Sequence, residues 1–175
     1  MHGLNLDERI WNDDTYFTVL IQAEWQRRSA LPPTVVTVSY GSTWLLTPKG
    51  GAADSGLLDD LMARLPAIEA KIGRPRRRLL MGESMGGLNV LIAGLTYPSR
   101  FAKVSALCPG VYAVSPFASL SAIRATMQRT GANPKIIFCV WMMARKYAAN
   151  DAEWHPLYRG HCATDAASLA AFLSS

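Results

Sequence analysis

The sequence is poor in the residues that would tie it to several kinds of chemistry. Only three of its 175 residues are cysteine and three are histidine. Cys108, Cys139 and Cys162 form an odd set without metal-ligand spacing, which argues against a disulfide framework or a cysteine-held metal and leads us to expect a reducing, cytoplasmic setting. No apolar run reaches the length that spans a bilayer, and Met1-His2-Gly3 does not open a signal peptide, so no membrane contact is expected. Charge is also sparse, at 18% of residues, and the net charge of +5 owes much to Arg74, Arg76, Arg77 and Arg78. No stacking aromatics interleave with those arginines, so they read as a solvated loop and no nucleic-acid partner is expected. What the chain does hold is apolar residues at half of its positions, together with 13 glycines. At this length the core belongs to one domain, expected to span residues 1–175.

The most informative stretch is Gly82-Glu83-Ser84-Met85-Gly86-Gly87. A Gly-x-Ser-x-Gly places a serine on a sharp turn between a buried strand and a helix, where a Cβ at either outer glycine would strike neighbouring backbone. The context fits that order. Arg78-Leu79-Leu80-Met81 is a short apolar run of central-strand character, and residues 87–95 are apolar nearly all round, as in a buried helix. Ser84 is therefore the candidate nucleophile. The competing reading is a glycine-rich structural turn that happens to hold a serine.

Elsewhere strands and helices are expected to alternate, which implies a parallel sheet with both faces covered. Phe17, Leu20, Ile21 and Trp25 recur at helical spacing over residues 15–29, and Pro32-Pro33 ends that helix. The β-branched run at residues 34–39 reads as a strand, followed by a loop through Trp44 to Gly51. A second helix begins near Ser55, with Leu57, Leu58, Leu61, Met62, Leu65, Ile68 and Ile72 on one stripe; Pro66 within it should kink it or start a new helix. Residues 103–108 read as another strand, and residues 115–130 as a loop and helix. Residues 134–150 are ambiguous by periodicity. Pro134 at a first helical position, with Ile136, Ile137, Val140, Trp141 and Tyr147 on one face, favours helix. Residues 153–158 read as a strand, then a turn at Gly160-His161, then a terminal helix from Asp165. In that setting His161 is the candidate general base, ahead of His155.

The elbow, the Tyr97-Pro98-Ser99-Arg100-Phe101-Ala102 turn, the His2-Gly3 start and the Gly160-His161-Cys162 finish together resemble the putative esterase family of α/β-hydrolases. Relatives in that family include S-formylglutathione hydrolases, tributyrin esterases and feruloyl esterases. The resemblance covers most of the chain and implies an α/β-hydrolase-like three-layer sandwich with a mostly parallel central sheet. That sheet is expected in reduced form, without one early strand before His2-Gly3 and without the acid-bearing strand. The implied activity is hydrolysis of small carboxylic esters or thioesters through an acyl-enzyme, with no cofactor and no metal. Ser84 would attack, His161 would carry the proton, and the amides of Met85 and Leu4 would hold the oxyanion. Trp44 would stand near the acyl pocket. Asp151 is the acidic residue in the interval before His161, while Asp165 suits a helix cap. Two alternatives accompany this reading: an acyltransferase using the same serine, and a weak or inactive hydrolase-fold remnant that pairs with a partner or as a homodimer through exposed strand edges.

Overall fold

A computed structural model describes residues 1–43, 56–110 and 114–154 of the chain. Its centre is a strand–helix–strand unit. Strand β1 (Leu79–Glu83) and strand β2 (Lys103–Leu107) pair in parallel, in the register Leu79 with Lys103 through Glu83 with Leu107. Helix α3 (Met85–Thr96) connects them and packs on both. The parallel pairing requires such a crossover, and the apolar composition of α3 follows from its position: nine of its twelve residues are buried. A two-stranded parallel sheet with its connecting helix is an α/β arrangement.

Around this unit lie α1 (Thr18–Arg27), α2 (Leu57–Ile72), α4 (Leu120–Thr130) and α5 (Pro134–Ala144). Leu58 and Leu61 of α2 meet Leu88 and Ile92 of α3 in one core cluster, which Ala144, Tyr147, Ala148 and Trp154 complete. Two tyrosine hydroxyls fasten α2 to its neighbours: Tyr97 at the end of α3 donates to Asp59 at 2.7 Å, and Tyr40 donates to Asp60 at 2.9 Å. Burial, reinforced by that carboxylate, pushes the Tyr40 phenol up to about 12.

Several sequence expectations hold. Residues 134–144 are helical, with the Asn133 side chain accepting from the Lys135 amide at 2.9 Å as the cap. Others are corrected. Pro66 does not begin a new helix but sits within a single continuous α2, and Ile72, assigned to the apolar stripe, is 44% exposed at the end of that helix. Residues 34–39 are not in a strand: they form no ladder, and Val35 and Val36 are exposed. Trp154, read as part of a strand, lies in a helical turn over residues 151–154. Asn150 and Glu153 cap that turn reciprocally: the Glu153 amide donates to Asn150 Oδ1, and Asn150 Nδ2 donates to Glu153 Oε1, both at 3.1 Å. The motif Asn150-Asp151-Ala152-Glu153 carries that signature in the sequence itself.

Candidate active site

The site begins with crowding. A Cβ on Gly82 would lie 2.2 Å from the Gly86 carbonyl oxygen, and one on Gly86 would lie 2.4 Å from the Met1 carbonyl oxygen. Both distances are well below any contact a methyl group tolerates, so glycine at 82 lets the strand meet the helix and glycine at 86 lets the amino-terminal backbone lie against the helix start. The residue between them absorbs the reversal. Ser84 adopts φ 51°, ψ −113°, a combination that side-chain-bearing residues seldom occupy.

Hydrogen bonds hold the strained residue from both sides. The Ser84 amide donates to the Leu107 carbonyl at 2.9 Å, and the Ser84 carbonyl accepts from the amides of Gly110 at 2.8 Å and Leu88 at 3.1 Å. On the other edge of β1, the Met1 nitrogen donates to the Met81 carbonyl at 2.6 Å, and the Glu83 amide donates to the Met1 carbonyl at 3.3 Å. The amino-terminal residues thus lie beside the elbow, and a Cβ on Gly3 would stand 3.6 Å from the Ser84 Cβ. Both ring nitrogens of the buried His2 are engaged, Nδ1 with the Gly3 carbonyl and Nε2 with Ser39 Oγ, each at 2.8 Å. The His2 side chain therefore ties the loop at residues 2–4 to Ser39.

Ser84 caps the buried α3, so the positive end of the helix dipole and the first free amides, beginning with Met85, meet at the serine. Among the described residues, no hydrogen bond occupies the amide of Met85 or of Leu4. The elbow thus brings a serine, a helix amino terminus and the Gly3-Leu4 backbone into one place. Asp151 begins the helical turn over residues 151–154, and its Oδ1 accepts from Ser115 Oγ. Trp44 and His161 lie outside the described residues, as do His155 and Asp165.

Other residues of the elbow were not signalled by the sequence. Glu83 accepts a hydrogen bond from the Tyr16 hydroxyl, and burial raises its carboxyl above the usual carboxylate range. Asn89, buried on α3, donates to the Thr43 carbonyl at 2.9 Å and so fixes residue 43 close to the elbow helix. Partners 67 and 46 positions apart are set by the tertiary fold, which local patterns do not encode. The arginine cluster divides: Arg74, Arg76 and Arg77 are exposed, whereas Arg78 forms a two-point pair with Glu69. Among the described residues no three of His, Cys, Asp and Glu converge as a metal site, and no helix is long and apolar enough to cross a membrane.

No curated protein and no solved structure gives a significant match to the chain. A family profile does. The profile described as Putative esterase matches residues 1–166, nearly the whole sequence, and the chain belongs to that esterase family.

Proposed function

We propose that the protein is a serine esterase that hydrolyses small carboxylic esters or thioesters through an acyl-enzyme on Ser84. The observation that carries this reading is the conformation of Ser84: a side-chain-bearing residue held at φ 51° between a buried strand and a buried helix. Strain of that kind persists only where the surrounding structure enforces it, and its place at the positive end of α3 supports a serine poised as nucleophile.

In the proposed reaction Ser84 Oγ attacks the ester carbonyl carbon while His161 accepts the hydroxyl proton. The negative charge that develops on the carbonyl oxygen is held by the amides of Met85 and Leu4. Collapse of the tetrahedral intermediate breaks the bond to the alcohol or thiol, which leaves with the proton from His161. Water then attacks the acyl-serine with His161 again as base, releasing the acid and restoring Ser84. Asp151 is proposed to orient the imidazole, and Trp44 to line the acyl pocket.

The experiment is hydrolysis of p-nitrophenyl acetate by the wild-type chain and by Ser84→Ala. The proposal expects a pre-steady-state burst of one nitrophenolate per chain in the wild type and none in the variant. A variant that turns over at the wild-type rate would refute it.

A further inference from the structure

Charge of the two signs is spread unevenly along the chain. From Ser84 to Asn150 there is no Asp or Glu, whereas seven Lys and Arg fall there, so this stretch contributes +7 to the net charge of +5 and the remainder contributes −2. Five of the seven lie in or just after α4 and α5: Arg124, Arg129, Lys135, Arg145 and Lys146, all of them exposed. Among the described residues, none of the five is paired with a carboxylate.

Helix α5 sets large apolar side chains among those cations. Its inner face is seated, because Ala144 lies in the core cluster and Val140 and Met143 pack against it. The outer face differs from an ordinary solvated one. Lys135, Phe138, Cys139 and Met142 fall at i, i+3, i+4 and i+7 and so share a stripe, at the end of which Arg145 and Lys146 follow. Phe138 is 60% exposed, Met142 49%, and Ile136 54%. A helix face turned to water carries neutral polar and acidic side chains, but every exposed residue from Lys135 to Lys146 is apolar or basic. The cations are also joined to the rings: the Arg145 guanidinium lies 3.4 Å from the centre of the Trp141 ring, which stacks on Phe138 with centroids 5.9 Å apart. Rings and cations held together on a seated helix suit the boundary between lipid headgroups and acyl chains, where the rings take the apolar side and the cations meet phosphate.

We propose that the outer face of α5, with its flanking cations, docks the protein on an anionic lipid surface. Two other occupants answer less of what is there. A second copy would set the same unpaired cations against each other, and a nucleic acid would meet the cations but leave Ile136, Phe138 and Met142 without an apolar partner. Anionic headgroups and acyl chains meet both. Attachment of this kind lies on a bilayer and does not cross it, in keeping with the absence, among the described residues, of a helix long and apolar enough to span one. The inference does not depend on the ester chemistry.

The test is flotation of the full chain with vesicles of phosphatidylcholine alone and of phosphatidylcholine with about one-third phosphatidylglycerol. The wild type should float with the anionic vesicles, stay behind with the neutral ones, and be released as salt rises from about 0.1 M to about 1 M. Lys135→Gln with Lys146→Gln should lower the partition coefficient about 25-fold, at about fivefold per cation, and Phe138→Ser should lower it about tenfold. Arg76→Gln with Arg77→Gln removes the same charge from exposed positions outside α4 and α5 and should leave the coefficient within about threefold of wild type. Every variant should keep the cooperative thermal transition, since all five side chains are exposed. A wild type that stays behind with the anionic vesicles, one that floats equally with neutral ones, or a loss as large for the arginine pair as for the lysine pair would each overturn the proposal. So would a wild-type dimer by light scattering that Phe138→Ser reduces to single chains, which would give the face to a second copy.

Discussion

Replacing Ser84 by alanine and by glycine separates backbone strain from loss of the hydroxyl. Both variants lack Oγ, so any contribution of that atom to stability cancels between them. Alanine keeps a Cβ at φ 51°, ψ −113°; glycine does not. A side-chain-bearing residue in such a region costs about 1–3 kcal/mol. Against that, glycine gains freedom in the unfolded chain worth about 0.4–1 kcal/mol. Ser84→Gly should therefore be more stable than Ser84→Ala by about 1–2 kcal/mol. For a chain of this length each kcal/mol moves the midpoint by about 2–4 °C, which gives a gap of about 2–8 °C. The assay is thermal unfolding followed by far-ultraviolet circular dichroism, with urea titrations of both variants to check that the slope is common to both. A glycine variant melting at or below the alanine variant would mean that Ser84 is not strained, and the elbow geometry would lose its support.

Other outcomes follow from neighbouring residues. Gly82→Ala forces a Cβ to 2.2 Å from backbone and should cost about 3 kcal/mol or more, whereas Gly131→Ala, at φ 65° with nothing within 4 Å, should cost only about 1 kcal/mol; paired denaturant titrations decide the order. Asn89→Leu leaves the Thr43 carbonyl without its donor and should lower stability by about 1–3 kcal/mol in the same titrations. Glu83 has its folded-state pKa raised above 4.5 by burial, so over the interval from 4.5 up to that raised value the folded chain binds more protons than the unfolded one and stability falls as pH rises. Glu83→Gln should therefore match the wild type near pH 4, exceed it in melting temperature as pH rises through that interval, and keep a constant gain above it. If Asp151 orients His161, Asp151→Asn should lower kcat on p-nitrophenyl acetate by up to about 10⁴-fold, and an unchanged kcat removes Asp151 from the mechanism.

The elbow was legible because much of its physics is local. Gly82, Ser84 and Gly86 sit within five positions, and the crowding that demands Gly82 comes from Gly86 and Gly87 themselves, whereas the crowding at Gly86 comes from the distant Met1 and His2 backbone. Helix α5 was legible for a similar reason, since Asn133 and Pro134 fix its start whatever it packs against. Residues 34–39 show where such reasoning stops. Their β-branched character predicts an extended backbone, but a ladder needs a neighbour, and no neighbour is written into the segment itself. The turn at residues 151–154 is a different case. Asn150 and Glu153 write its capping box into the sequence itself, a local signal that the reading of residues 153–158 as a strand leaves out. The contacts of Glu83 with Tyr16 and of Asn89 with Thr43 depend on the folded path of the whole chain and have no sequence signal. The family profile bears out the resemblance read from the elbow and the motifs around it.

The most direct measurement is covalent labelling of the intact chain with a fluorophosphonate, read by mass spectrometry. An activated Ser84 predicts one adduct per chain, mapped to the peptide that contains Gly82 to Gly87, and no adduct on Ser84→Ala. Folded wild-type protein that remains unlabelled, or an adduct that persists on Ser84→Ala, would contradict a serine nucleophile at the elbow.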